Sequence, residues 1–353
     1  MTETAPAIPA SAPVPLVDIA PWAGGDPAGR ESVATAVDAA LRTSGFLLVT
    51  GHGVPDDDRA AVRDLARRFF ALPDDVKARY AVTVGGRGWL PPGVEANAAA
   101  EGVTSPPDLK ETYAVGADTP TGDPDLDGFW FPPNVWPDEV PDLRAAVVRH
   151  VGAMRALADD LLRIGAVALG RDEDFFTRHT GNPSYTLNIN HYPPLTEVGR
   201  PTHGQFRIGA HTDFGTFTVL DREPGAGRLQ VDVPGHGWVD APYRPDAFTI
   251  NVGDLLSLWT GGRWRSTRHR VLPPQAAAPD EDLVSLVFFY ELDPDTWVEP
   301  AGHAAPPVRA AEYLAGKLAQ ITVPSAAPQN VQHRSRRPGR PQAALPPLRR
   351  RPV

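Results

Sequence analysis

The chain has 353 residues, 43 acidic against 34 basic, a net charge of −9 and no cysteine. That length is enough for one large domain with a sizeable buried core. The acidic balance argues against a nucleic-acid substrate, the absent thiols exclude disulfides and thiolate metal ligands, and no apolar run approaches the roughly 20 residues that span a bilayer.

Met1 to Pro15 is rich in Ala and Pro. It lacks the basic start and continuous apolar stretch of a secretory signal. Residues 29–43 carry apolar positions at helical spacing. Gly45 to Thr50 reads as a buried strand closed by Gly51-His-Gly53, and Asp56 to Leu72 as a second helix whose acidic start suits a helix N-terminus. Residues 84–137 are dense in Gly and Pro and predict long loops with short strands. Pro141 to Leu169 is the longest helical pattern, Tyr185 to Tyr290 switches to short β-like runs, and residues 308–319 read as a last helix. Arg334 to Arg351 holds seven arginines and no acid, so the residues before it carry about −16. The tail has no periodic apolar face and reads as a disordered extension. Helices followed by a strand-rich block with no clean linker indicate an α+β unit. The expectation is a cytoplasmic protein, monomeric and free of membrane partners.

His211-Thr212-Asp213, followed 56 residues later by His269, carries the chemistry. Two imidazoles and one carboxylate grip one face of Fe(II) and leave the other open to substrate and O2. Residues 208–220 read as strand, turn, strand, so His211 and Asp213 can share a face. Arg207, four residues before His211, falls on that same alternation. The same ligand set also suits zinc, as in hydrolases.

Further blocks stand around these ligands. They include Ser44-Gly-Phe-Leu-Leu-Val-Thr-Gly51-His-Gly53-Val-Pro55, Arg87-Gly88-Trp-Leu-Pro91, Asp108-Leu-Lys110-Glu111-Thr-Tyr113, Asn190-His-Tyr192-Pro193-Pro194 and Asn251-Val-Gly253-Asp254. Over residues 14–320 the chain resembles the isopenicillin N synthase-like family of Fe(II)- and 2-oxoglutarate-dependent oxygenases. The resemblance implies a double-stranded β-helix, or jelly roll, with flanking N- and C-terminal helices. It divides the chain into a disordered leader (1–13), an N-terminal helical and strand region (14–182), the jelly-roll core (183–300), a C-terminal helix (301–323) and a basic tail (324–353), all one compact unit.

The resemblance also implies an enzyme that couples oxidative decarboxylation of 2-oxoglutarate to oxidation of a small molecule in specialised metabolism. Hydroxylation, desaturation and ring closure all remain open. His211, Asp213 and His269 are the implied Fe(II) ligands. Asn190, Tyr192, Ser285 and Arg207 are the candidates for the co-substrate. The family places an arginine two residues before the serine, but here Leu283 stands there. A leucine cannot pair with a carboxylate, and an unpaired buried carboxylate is costly. Arg207 is the substitute expected from strand alternation, with Arg265 and Arg268 as further candidates. Two alternatives stay open: an iron oxidase that does not use 2-oxoglutarate, and an iron-binding sensor without turnover. Lys110 and Glu111 match a position near the cavity mouth or form a solvated charge pair. Asp254 and Gly253 suggest a structural turn. His191, His203 and His236 read as ordinary polar residues.

Overall fold

The computed structural model describes residue 8, residues 12–303 and residues 306–323. The expected leader falls largely, and the expected basic tail wholly, outside them.

The N-terminal part runs β1 (Leu16–Asp18), α1 (Ala20–Ala23), α2 (Pro27–Thr43), β2 (Phe46–Thr50), α3 (Asp56–Phe70), α4 (Asp74–Lys77), β3 (Gly88–Leu90), β4 (Glu111–Gly116), α5 (Pro124–Trp130) and α6 (Leu143–Ala168). The strand-rich part runs β5 (Thr186–Tyr192), α7 (Leu195–Val198), β6 (Ile208–His211), β7 (Phe217–Asp221), β8 (Leu229–Val233), β9 (Gly237–Asp240), β10 (Phe248–Val252), α8 (Asp254–Trp259), β11 (His269–Val271) and β12 (Leu283–Tyr290). A short ribbon of β13 (Trp297–Val298) and β14 (Val308–Arg309) leads into α9 (Ala310–Ile321).

Local chemistry accounts for the boundaries. Asp26 caps α2 by accepting from Gly29 N at 3.0 Å, with Pro27 at the first helical position. Three aspartates open α3 and two arginines close it, which matches the helix dipole at both ends. Gly45 adopts φ +72° at the turn into β2, where a Cβ would stand 2.0 Å from Arg265 O.

Eight strands form the larger sheet in the order β1-β2-β10-β7-β12-β5-β4-β3, and four form the smaller, β6-β11-β8-β9. The two sheets face each other as the jelly roll. Although β6 and β7 are consecutive, they belong to opposite sheets. The turn between them, which carries Asp213, crosses from one wall of the barrel to the other. α2, α3 and α6 cover the outer face of the larger sheet. β2 is apolar from Phe46 to Val49 because both its faces are buried there. Leu47 and Val49 join the core beneath the helices, while Phe46 and Leu48 pack with Leu229, Val231 and Val233 of the smaller sheet.

Candidate active site

β6 and β11 pair antiparallel with His269 opposite His211. β6 ends at His211, and Asp213 lies in the turn beyond it. The continuous strand expected through Arg207, Gly209, His211 and Asp213 is therefore shorter than its alternation suggested. The turn, rather than the strand pleat, returns Asp213 to the imidazoles. Asp213 Oδ1 stands 3.5 Å from His211 Nε2 and 3.6 Å from His269 Nε2. One ligand atom from each residue lies within 4.8 Å of the others, and all three residues are buried.

The surroundings fix which atoms are free. His211 Nδ1 lies 2.8 Å from Gly209 O, and His269 Nδ1 lies 3.2 Å from Thr267 O. Donation from Nδ1–H to these carbonyls leaves both Nε2 lone pairs for a metal. Asn251 Nδ2 donates to Asp213 Oδ2 at 2.6 Å and leaves Oδ1 toward the imidazoles. Burial opposes ionisation of Asp213, but the two imidazoles outweigh it and hold the carboxyl well below the usual range. Burial and the neighbouring His211 hold His269 down to about 4, so it is neutral at pH 7, as a ligand must be. Burial likewise lowers His211, but Asp213 more than compensates and raises it. Two imidazoles and a carboxylate converging on one point, with both Nε2 atoms turned inward, fit Fe(II).

Close backbone contact supports the turn. Asp254 N donates to Asp213 O at 2.8 Å, and Gly253 N to Thr216 O at 2.6 Å. A Cβ on Gly253 would stand 2.5 Å from Gly215 O. Gly253 has φ −91°, so this close approach, and not the sharp turn expected of it, requires glycine. Asp254 does have its expected structural role. Its carboxylate accepts from Ser266 Oγ at 2.6 Å and Tyr313 Oη at 2.9 Å, and pairs with Lys317 Nζ at 3.0 Å, tying α9 to the site.

A cavity runs from His211, Asp213 and His269 between the two sheets. Thr186, Asn188, Asn190 and Tyr192 of β5 line it at every second position. At one end Ser285 Oγ donates to Tyr192 Oη at 3.2 Å, and Asn190 Oδ1 accepts from Thr112 Oγ1 at 2.8 Å. Asn190, Tyr192 and Ser285 are thus brought together, with Leu283 bordering the same end.

Arg207 is placed differently from the free fork that alternation suggested. It is fully buried, with Nη1 donating to Glu281 Oε1 at 2.7 Å and Nη2 to Glu281 O at 3.3 Å. Its guanidinium lies 5.6 Å from the Tyr192 ring centroid, and its charge is already compensated. Arg265 is exposed and donates to Arg42 O, while Arg268 faces Glu101 and Asp232.

Lys110 and Glu111 are not a solvated pair. Both are buried, and they point to opposite faces. Lys110 pairs with Glu95 and donates to Thr112 Oγ1 inside the cavity. On the other face Glu111 accepts from Lys77 Nζ and Trp89 Nε1. His191 bridges Glu111 and Asp282 at 2.8 and 3.0 Å, a structural role more specific than expected. His203 and His236 are exposed.

Three further residues carry weight that the sequence reading did not assign. Asn251 orients Asp213. Glu291 is buried in the cavity wall, and its Oε2 has no partner among the described residues. Burial and the nearby Asp213 push its carboxyl well above the usual range. Continued β12 alternation from Leu283 through Ser285, Val287 and Phe289 reaches it. Arg222 borders the Tyr192–Ser285 end.

Two family profiles match the chain: the N-terminal region described for a non-haem dioxygenase in morphine synthesis, over residues 14–139, and the 2OG-Fe(II) oxygenase superfamily, over residues 183–292. The validamycin A dioxygenase of Streptomyces hygroscopicus subsp. limoneus is 39% identical over 315 residues, covering 87% of this chain and 86% of that protein. The homoarginine-6-hydroxylase 2-ODD-C23 of Glycine max is 33% identical over 299 residues, covering 81% and 88%. Among solved structures, a full-length Neurospora crassa protein in complex with alpha-KG and thymine superposes with a TM-score of 0.75 at 26% identity, covering 87% of this chain and 96% of that one. These matches decide between the alternatives left open by Leu283: the enzyme is a dioxygenase whose cofactors are Fe(II) and 2-oxoglutarate. With the paired sheets, the converging imidazoles and carboxylate, and profiles on both halves in agreement, the chain belongs to the 2OG-Fe(II) oxygenase superfamily.

Proposed function

We propose that His211, Asp213 and His269 hold the Fe(II), and that the Asn190–Tyr192–Ser285 end of the cavity receives 2-oxoglutarate. The enzyme then oxidises a polar small molecule of specialised metabolism in the remaining space. The convergence of two Nε2 atoms and Asp213 Oδ1 in the cavity wall carries this reading. The bound iron supplies the oxidising chemistry. The protein's part is to fix three ligand atoms, exclude water and hold the substrate against the open face.

The substrate half supports a polar ligand with an apolar flank. Arg87, Asn188 and Glu291 line it together with Phe129, Trp130 and Phe214. The named relatives point the same way, since validamycin A and homoarginine are both polar. The test is anaerobic titration with Fe(II) and then 2-oxoglutarate, followed by a screen of polyhydroxylated and amino-bearing compounds for substrate-dependent succinate. The expected result is one iron per chain and a metal-to-ligand charge-transfer band. Iron uptake unaltered in both His211→Ala and His269→Ala would reject the ligand assignment.

A further inference from the structure

With leucine at 283 and Arg207 neutralised by Glu281, the Tyr192–Ser285 end still needs a cation for a carboxylate. We infer that Arg222, the residue that follows β7, receives the distal carboxylate of 2-oxoglutarate. This rests on the reading that 2-oxoglutarate binds at that end.

Strand register places Arg222. β7 and β12 are antiparallel, with Asp221 opposite Leu286 and Leu220 opposite Val287. One further step sets Arg222 opposite Ser285. Side chains alternate, so Arg222 shares the inward face with Thr218 and Leu220, which line the cavity. Asp221 points outward to Arg59 and Arg63. Directly opposed residues on one face lie about 5 Å apart at Cβ, within reach of a shared ligand. Arg222, Tyr192 and Ser285 border one pocket, which Leu283 also lines.

The charge balance singles out the same residue. Among the described residues no carboxylate lies within ion-pairing distance of Arg222, and its buried Nε has no partner. Nη2 donates to the carbonyls of Ala241 and Pro242, and the guanidinium lies 5.4 Å over the Tyr243 ring, contacts that aim it without neutralising it. The neighbouring acids are committed elsewhere. Glu223 accepts from Arg67 and from Val284 N, and Asp240 from Arg228 and Gln230. Burial without a counter-ion lowers the Arg222 pKa to about 10, still protonated at neutral pH. The other cations near this end are paired, Arg207 with Glu281 and Lys110 with Glu95. An uncompensated buried cation is costly unless an anion joins it. The arginine absent from β12 is thus supplied from the end of β7, on the other side of the same serine.

The test is binding to the anaerobic Fe(II) enzyme, read by the charge-transfer band and by calorimetry. Two ligands are compared: 2-oxoglutarate, and 2-oxovalerate, which keeps the chain length but ends in a methyl group. Arg222→Gln should weaken 2-oxoglutarate about 30-fold or more, the usual size for one lost partner of a buried charge pair. Its affinity for 2-oxovalerate should stay within about threefold of the parent's, well under one tenfold step. That result also shows that the variant is folded. Arg222→Lys should fall between parent and Arg222→Gln for 2-oxoglutarate. Unchanged 2-oxoglutarate affinity in Arg222→Gln overturns the assignment, as does an equal loss for both ligands. A parent enzyme that binds iron but not 2-oxoglutarate rejects the underlying reading as well.

Discussion

His269 sits directly across the β6–β11 pair from His211, with imidazole centroids 4.3 Å apart and each Nδ1 directed at a backbone carbonyl two residues earlier in its own chain segment. Two imidazoles 58 positions apart are thereby set by one strand pairing. Only Asp213, in the turn, needs a separate support, and Asn251 provides it.

Asn251→Ala should therefore weaken iron binding without removing it. Loss of such an outer hydrogen bond typically costs about 10- to 100-fold in metal affinity. Anaerobic Fe(II) titration measures this. An affinity equal to the parent's means that the turn holds Asp213 unaided.

Gly215→Ala should disturb the same turn. A Cβ there would stand 1.6 Å from Glu291 Oε2, so either the turn or the carboxyl must move. A destabilisation of about 1 to 3 kcal/mol is expected, the usual range for forced overpacking, with weaker iron uptake. Gly215→Ala/Glu291→Ala should recover stability relative to Gly215→Ala alone. Denaturant melts of both variants decide it, and no recovery in the double variant contradicts the contact.

Arg207→Met should be destabilising, because it leaves Glu281 largely buried beside an apolar side chain. Breaking a buried pair on one side typically costs about 3 to 5 kcal/mol. The lower end is expected here, since Ala226 N and Gly227 N also donate to Glu281. Arg207→Met/Glu281→Leu should restore part of the loss. A single variant as stable as the parent means that the pair adds nothing.

His191 gives stability a pH dependence. Burial alone lowers its pKa, but Asp282 and Glu111 outweigh that and raise it to about 9 from an ordinary 6.5. The folded-state value is the higher one, so the contribution is fully present below about pH 6.5 and is lost as pH rises through about 9. Asp282 is partly exposed, so solvent screening reduces the effect to about 2 kcal/mol. Chemical denaturation at pH 6 and pH 9.5 measures the slope. His191→Gln should flatten it, and an unchanged slope in that variant assigns the effect to other groups.

Much of this protein was written locally in its sequence. Apolar periodicity and end signals set α2, α3 and α6 within a few residues, because those helices bury one face against a neighbour, and Asp26 caps α2 while aspartates open α3. The HxD motif and the later histidine singled out the three residues that the fold brings together, because one metal's donor chemistry requires those residue types. Sequence alternation also put Arg207 on the face of His211, but it could not show that Glu281, 74 positions later, would already neutralise it. It left Lys110 and Glu111 open between a place near the cavity mouth and a solvated charge pair, whereas the fold buries them on opposite faces with separate partners and only Lys110 in the cavity. Arg222 drew no notice because Ser285, the residue it faces, is 63 positions away. Which charges end up compensated depends on strand order and register, and those are set only when the two sheets close around the cavity.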